Sequence, residues 1–235
     1  MRETAFTATE IKRVIITWVV RAAFALAGYG LILFLAAGTL DWIWGWVLLG
    51  VFLAFLAAQP LIINPELLAE RVKGVQNMGV KTWDKWIAML ALGMMMAGWL
   101  VAGLDNRGQW TGSIPLGYHL SGLLGILLGH ALSLWAMASN AFFSEGVRIQ
   151  GERGHKAITT GPYRFIRHPG YFGAILSLLA TPLFLGSPWA LIPSMASVIL
   201  YVLRTSLEDK TLFTELTGYK AYAQQTCYRL LPGLW

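Results

Sequence analysis

The chain has 235 residues, of which 56% are hydrophobic and only 13% charged, with a formal net charge of +6. Soluble domains carry roughly a quarter charged residues, so this composition excludes an ordinary soluble domain and places the chain in a bilayer. Its Lys and Arg residues fall in short clusters between apolar runs, the pattern of membrane-protein loops, which argues against nucleic-acid binding. The single cysteine, Cys227, excludes an intramolecular disulfide and a cysteine-based zinc cluster.

Transmembrane helices need about 20 apolar residues, and the sequence supplies about six such segments. The first runs from about 14 to 37 after Lys12-Arg13, uncleaved, with Glu3 and Glu10 ahead of it and Arg21 snorkelling to its near end. Asp41, Trp42, Trp44 and Trp46 form an aromatic belt, and the second span follows to about 63. The polar interval 64–85 opens with Pro65-Glu66 and reads as a surface linker helix whose Arg71 and Lys73 sit near headgroups; a lid is the alternative. The third span, about 86–104, contains Met94, Met95 and Met96, read as adaptable packing.

In the fourth span, about 116–143, Gly117, Ser121, Gly125, Gly129 and Ser133 recur every four residues, a stripe that admits a closely packed partner helix. His130 beside it is expected to play a hydrogen-bonded structural role. Two shorter apolar segments, about 171–185 and 189–203, flank the turn signal Gly186-Ser187-Pro188. Each reaches only about 22 Å, so they form a hairpin that either spans with help from its flanks or dips in and returns. The tail from Arg204 begins helically to about 216 and breaks at Gly218. The expected fold is all-α, a polytopic bundle forming a single membrane domain over 1–235, with a four-helix part (1–143) and a cofactor-binding part (144–235).

Lys and Arg number three before the first span, four between the second and third, five between the fourth and fifth, and four after the sixth; the other intervals hold only Arg107. The positive-inside rule then places both termini, the 144–169 segment and the tail in the cytoplasm.

Chemistry concentrates in Gly161 to Gly173, where an imidazole, guanidinium groups and phenols lie between apolar regions. Pro169 restricts His168 to extended geometry and favours a helix start just after it, where Gly170 and Gly173 allow close approach. An anion at that helix N-terminus and a mere headgroup anchor both fit the composition. Arg204 and Glu208, four apart, share a helical face and return toward His168 after the hairpin. They form either a joint site with it or an exposed ion pair. No Gly-rich nucleotide fingerprint, phosphate loop or paired-histidine zinc motif occurs.

The ordered set His155 to Tyr163, then Arg167-His168-Pro169-Gly170-Tyr171-Phe172-Gly173, then Glu208-Asp209, Gly218-Tyr219-Lys220-Ala221-Tyr222 and Arg229-Leu230-Leu231-Pro232 resembles the isoprenylcysteine carboxyl methyltransferase family over about 144–235. The acidic pair is Glu-Asp rather than Glu-Glu, and Ala157 replaces a larger aliphatic residue. The resemblance implies S-adenosyl-L-methionine as methyl donor and a lipophilic or prenylated acceptor entering from the membrane lipids. It implies donor contacts at His155, Ala157, Tyr163, His168, Pro169, Tyr171, Gly173, Glu208 and Tyr222, and catalytic roles for Arg204, which would orient an acceptor carboxylate, Glu208 and Arg167. Two other readings stay open: an NADPH-dependent membrane reductase of the sterol reductase type, and a non-catalytic scaffold or transporter.

Overall fold

A computed structural model describes residues 7–74 and 79–235; Glu3 and part of the 64–85 interval lie outside them. Helix α1 spans Ala8–Ala37. It starts earlier than the apolar run because Thr7 and Glu10 form a reciprocal capping box, and it stops at Gly38, whose φ of 66° suits glycine. Helix α2 (Ile43–Ile62) has Trp42 of the aromatic belt at its N-cap and Trp44 and Trp46 in its first turns, and α3 (Pro65–Lys73) is capped by Asn64, whose side chain accepts from the Leu67 N–H at 2.7 Å. Helices α4 (Thr82–Gly108) and α5 (Leu116–Ser139) are the third and fourth long apolar helices. After a loop with two single-turn 3₁₀ segments come α6 (Pro169–Leu185), α7 (Leu191–Glu215) and the short α8 (Tyr219–Gln225).

The described residues contain no strand, and five helices, α1, α2, α4, α5 and the one reaching Glu215, are long and apolar enough to cross a bilayer. Large apolar side chains such as Phe24, Leu61, Leu124, Ile192 and Ile199 face outward. So much exposed apolar surface is tolerable only against lipid. The fold is an all-helical membrane bundle with about six segments.

The expected hairpin is asymmetric. Its first arm, α6, has 17 residues, about 25 Å. Its second arm and the tail helix are one helix, α7, of 25 residues. Nothing breaks the chain near Arg204, so α7 runs on past the apolar stretch and carries Arg204, Glu208 and Asp209 rigidly to the end where α6 begins.

The α5–α6 pair is the tightest in the bundle, but the stripe that forms it differs from the expected one. Gly122, Gly125 and Gly129 approach Phe184, Ala180 and Gly173 so closely that an added Cβ would sit 2.3–2.7 Å from its nearest neighbour. Gly117 faces open space and Ser121 is exposed. A four-residue repeat drifts around a helix of 3.6 residues per turn, so the contacting face takes Gly122 in place of its smaller-numbered neighbours. His130 also differs from expectation. Its ring stacks on Phe55 at 4.2 Å and meets Phe52 edge-on, while Nδ1 is buried with no hydrogen-bond partner among the described residues. Its role is aromatic packing.

The N-terminal part of α1 and α3 share one end of the bundle: the Arg21 side chain donates to the Val72 carbonyl and Arg71 lies 5.9 Å from the Trp18 ring. The 142–168 segment, the start of α6, the end of α7 and the C-terminal residues gather at that same end.

Candidate functional site

These elements enclose a cavity of about 470 Å³. Arg167, His168, Gly170 and Tyr171 line it from the start of α6, and Tyr201, Arg204, Glu208 and Leu212 from α7. The 142–148 and 155–158 segments, Tyr163, and Tyr219 and Tyr222 near α8 close it. The first four-helix part also contributes, through Phe55, Arg71, Leu92, Ser133 and Met137. The cavity therefore crosses the boundary between the two expected parts of the chain.

One wall is organised around Asp209. Its carboxylate accepts from Arg167 Nε at 2.8 Å and Nη2 at 3.0 Å, Arg229 Nε at 2.8 Å, Tyr219 Oη at 2.9 Å and His168 Nε2 at 3.2 Å. Arg167 Nη1 also donates to the Thr226 and Cys227 carbonyls, and the Arg167 and His168 amides bond to the carbonyls of Tyr228 and Arg229. A guanidinium has five N–H donors, and Arg167 commits four here. Burial opposes its charge, but the Asp209 hydrogen bonds outweigh that and raise its pKa. Arg167 therefore braces the wall, and the Arg229 to Pro232 segment acts from behind it without lining the cavity.

Glu208, the next residue, faces the cavity and accepts from Tyr171 Oη. Arg204 lies one turn earlier, its Cζ 5.3 Å from the Tyr171 ring. The two do share a face of α7, but they are no exposed ion pair: Arg204 forks onto Asp84 with Nε at 2.6 Å and Nη2 at 2.9 Å, and Nη2 also donates to the Glu145 carbonyl. Asp84 is fully buried and additionally accepts from the Val147 amide at 2.8 Å. This pair ties α4, α7 and the 144–148 segment together. Asp84 was missed in the sequence. The available signal was a lone acid opening an apolar helix in a basic interval.

On the far side, His155 Nδ1 accepts from the Gln150 amide at 3.2 Å and its ring lies 4.6 Å from Phe142. Burial, with help from Arg148 and Arg153, lowers its pKa to about 4. The ring is thus neutral near pH 7, and with Nδ1 accepting, Nε2–H is left as a donor. Tyr222 Oη donates to the Tyr163 carbonyl at 2.7 Å, and Asn140 Nδ2 donates to Tyr163 Oη at 3.1 Å. Burial raises the pKa of Tyr163, Tyr219 and Tyr222, so all three stay phenols and hydrogen-bond donors.

Of the residues expected at the site, Arg204, Glu208, Arg167, His155, Ala157, Tyr163, His168, Tyr171 and Tyr222 line the cavity; Pro169 and Gly173 do not. Pro169 opens α6, with His168 extended just before it as anticipated. Gly173 faces α5, where a Cβ would meet Gly129 O and Ser133 Oγ at 2.5 Å. Arg71, which the sequence did not single out for the site, also lines the cavity, with its side chain 12% exposed.

Residues 122–214 match the model of the Isoprenylcysteine carboxyl methyltransferase (ICMT) family. The match begins inside α5, earlier than the motifs alone indicated, and includes the His155 to Gly173 and Glu208-Asp209 motifs; the Gly218 to Tyr222 and Arg229 to Pro232 motifs lie beyond it. Two curated relatives from rice, one each from Oryza sativa subspecies indica and japonica, are both described as "Probable protein-S-isoprenylcysteine O-methyltransferase". Each is 35% identical over 68 residues, which is 28% of this chain and 36% of the relative. The chain thus matches about a third of the length of these relatives.

Proposed function

We propose that this chain is an integral membrane O-methyltransferase that transfers a methyl group from S-adenosylmethionine to the carboxylate of an isoprenylcysteine-like acceptor. The observation that carries the proposal is the placement of Glu208, Tyr171, His168, His155 and Tyr222 around one cavity, inside or adjoining a segment that matches a carboxyl methyltransferase family. Its volume lies within the roughly 300–1,000 Å³ usual for small-molecule sites. Its donor set also fits an adenosyl sulfonium compound: a carboxylate for a cationic or hydroxyl group, an imidazole N–H and aromatic rings for the base.

When bound, the donor supplies an electrophilic methyl group. In-line displacement by a carboxylate needs little proton transfer, so the protein contributes alignment and exclusion of water. Glu208, held by Tyr171, would hold the donor's polar end, and His155 Nε2–H would be the hydrogen-bond donor available to its base. Asp209 fixes the backbone that presents His168 and Tyr171. Arg204, immobilised by Asp84, adds a fixed positive field at the reacting carboxylate while spending its hydrogen bonds elsewhere. The start of α1, the C-terminal residues and the cavity share one end of the bundle, and the surplus of Lys and Arg in the segments at that end supports a cytoplasmic orientation.

The test is transfer of labelled methyl from S-adenosylmethionine to N-acetyl-S-farnesylcysteine by purified protein in detergent micelles. Transfer that S-adenosylhomocysteine inhibits and NADPH does not is the expected result. Saturable NADPH binding, with no transfer, would replace this reading with the reductase.

A further inference from the structure

Among the described residues four arginines line the cavity, and three are hydrogen-bonded to a carboxylate of the chain itself: Arg148 to Glu70 at 2.6 Å, Arg167 to Asp209 at 2.8 Å and Arg204 to Asp84 at 2.6 Å. Arg71 is different. Among the described residues its ion-pair partner is Glu145, whose carboxylate oxygen is 3.6 Å away, and its hydrogen bond goes to the neutral Gln59 side chain at 3.2 Å. The Trp18 and Phe143 rings flank the guanidinium at 5.9 and 5.8 Å. Its side chain is only 12% exposed, and burial, countered by Glu145, lowers its pKa.

A buried charge without a close counter-ion is costly. Aromatic faces recover part of that cost, and a long ion pair recovers little more, since charge-assisted hydrogen bonds form at about 2.7–2.9 Å. Glu145 is 33% exposed, so its carboxylate has room to leave. Lys156 also lines the cavity, but its charge is exposed and solvated. Phe55, Leu92 and Met137 add apolar lining to the same cavity from α2, α4 and α5.

We infer that Arg71 is the receptor for the anionic head of a membrane-embedded acceptor, whose carboxylate displaces Glu145 and forks onto the guanidinium while its apolar chain lies along Phe55, Leu92 and Met137. Arg71 lies outside the 122–214 segment that carries the family match, so acceptor selection is set by the amino-terminal half of the chain. The inference rests on the proposed reaction only in taking a carboxylate as the anion.

Binding, rather than turnover, tests it. Affinities of N-acetyl-S-farnesylcysteine and its uncharged carboxamide are measured by calorimetry on the full chain in detergent. Wild-type protein should prefer the carboxylate by about tenfold or more, Arg71→Gln should erase that preference and Arg71→Lys should retain part of it. Glu145→Gln should tighten carboxylate binding and leave the carboxamide unchanged. A wild-type protein without preference, or an Arg71→Gln variant that keeps it, overturns the inference. Should Arg71→Gln not fold, Glu145→Gln decides, and no gain in carboxylate affinity is then the overturning result. Stronger competition by lysophosphatidate than by the prenylated carboxylate would also overturn it, by assigning the site to a phosphate headgroup. Absence of methyl transfer with the preference intact would remove the proposed reaction and leave the anion receptor standing.

Discussion

The two sides of the cavity are held by different physics. On the α6–α7 side, the Asp209 carboxylate is buried and accepts from Arg167, His168, Tyr219 and Arg229, and backbone bonds join 167–168 to 228–229. On the α3 side, the helix is laced to the 145–153 segment by ion pairs: Glu66–Arg153 at 3.4 Å, Glu70–Arg148 at 2.6 Å and Arg71–Glu145 at 3.6 Å. Partners on that side are in part exposed, so water and salt weaken them. The first arrangement is a fixed wall, suited to a reactant that must be aligned. The second is an adaptable wall, suited to an amphiphile that must enter.

The largest effect is expected for Asp209→Ala, which strands the Arg167 guanidinium in a buried site and should cost about 3–5 kcal/mol of stability, read as a lower midpoint of thermal unfolding in detergent. Gly129→Ala strikes the foundation of the same wall, because its Cβ would lie 2.3 Å from Ser177 Oγ and 2.5 Å from Gly173 O. Overpacking of this kind should cost about 1–3 kcal/mol, and an unchanged midpoint would mean that α5 and α6 are not so closely apposed.

On the adaptable side, His155 is neutral in the folded protein because its pKa is lowered from 6.5 to about 4. The unfolded chain therefore binds the extra proton first, and stability is lost as pH falls from about 6.5 toward 4. A midpoint-versus-pH series for wild type against His155→Gln should show a gap that narrows over that interval as the pH drops. The smallest effect is expected for Glu66→Gln, which removes a half-exposed pair and should cost no more than about 1 kcal/mol, diminishing further in high salt.

Much of the bundle was legible because apolar runs of membrane length have few alternatives: the lipid demands backbone pairing within each helix. Much of the cavity lining was legible through local chemistry, with His168 before a proline-opened helix and Arg204 and Glu208 one turn apart. What escaped were choices made between distant parts of the chain. Glu208 and Asp209 look interchangeable in sequence, yet helical rotation turns Glu208 to the cavity and Asp209 to Arg167. Asp84 and Arg204 are 120 positions apart, and no local pattern couples them. Gly173 stands in the motif, yet its close approach to Gly129 and Ser133 comes from the register of α5 against α6, which no local pattern shows. Nothing local to α3 shows that Arg71 also lines the cavity, because its contacts Trp18, Gln59 and Phe143 stand on other elements.

The central claim is that adjacent carboxylates divide the work, Asp209 holding the fixed wall and Glu208 binding the methyl donor. Calorimetric titration of S-adenosylhomocysteine into the purified protein and its Glu208→Gln variant tests it most directly. Saturable one-site binding that weakens about tenfold or more in the variant, at an unchanged unfolding midpoint, is the expected result. No saturable binding by the wild type, or equal binding by both proteins, would contradict it.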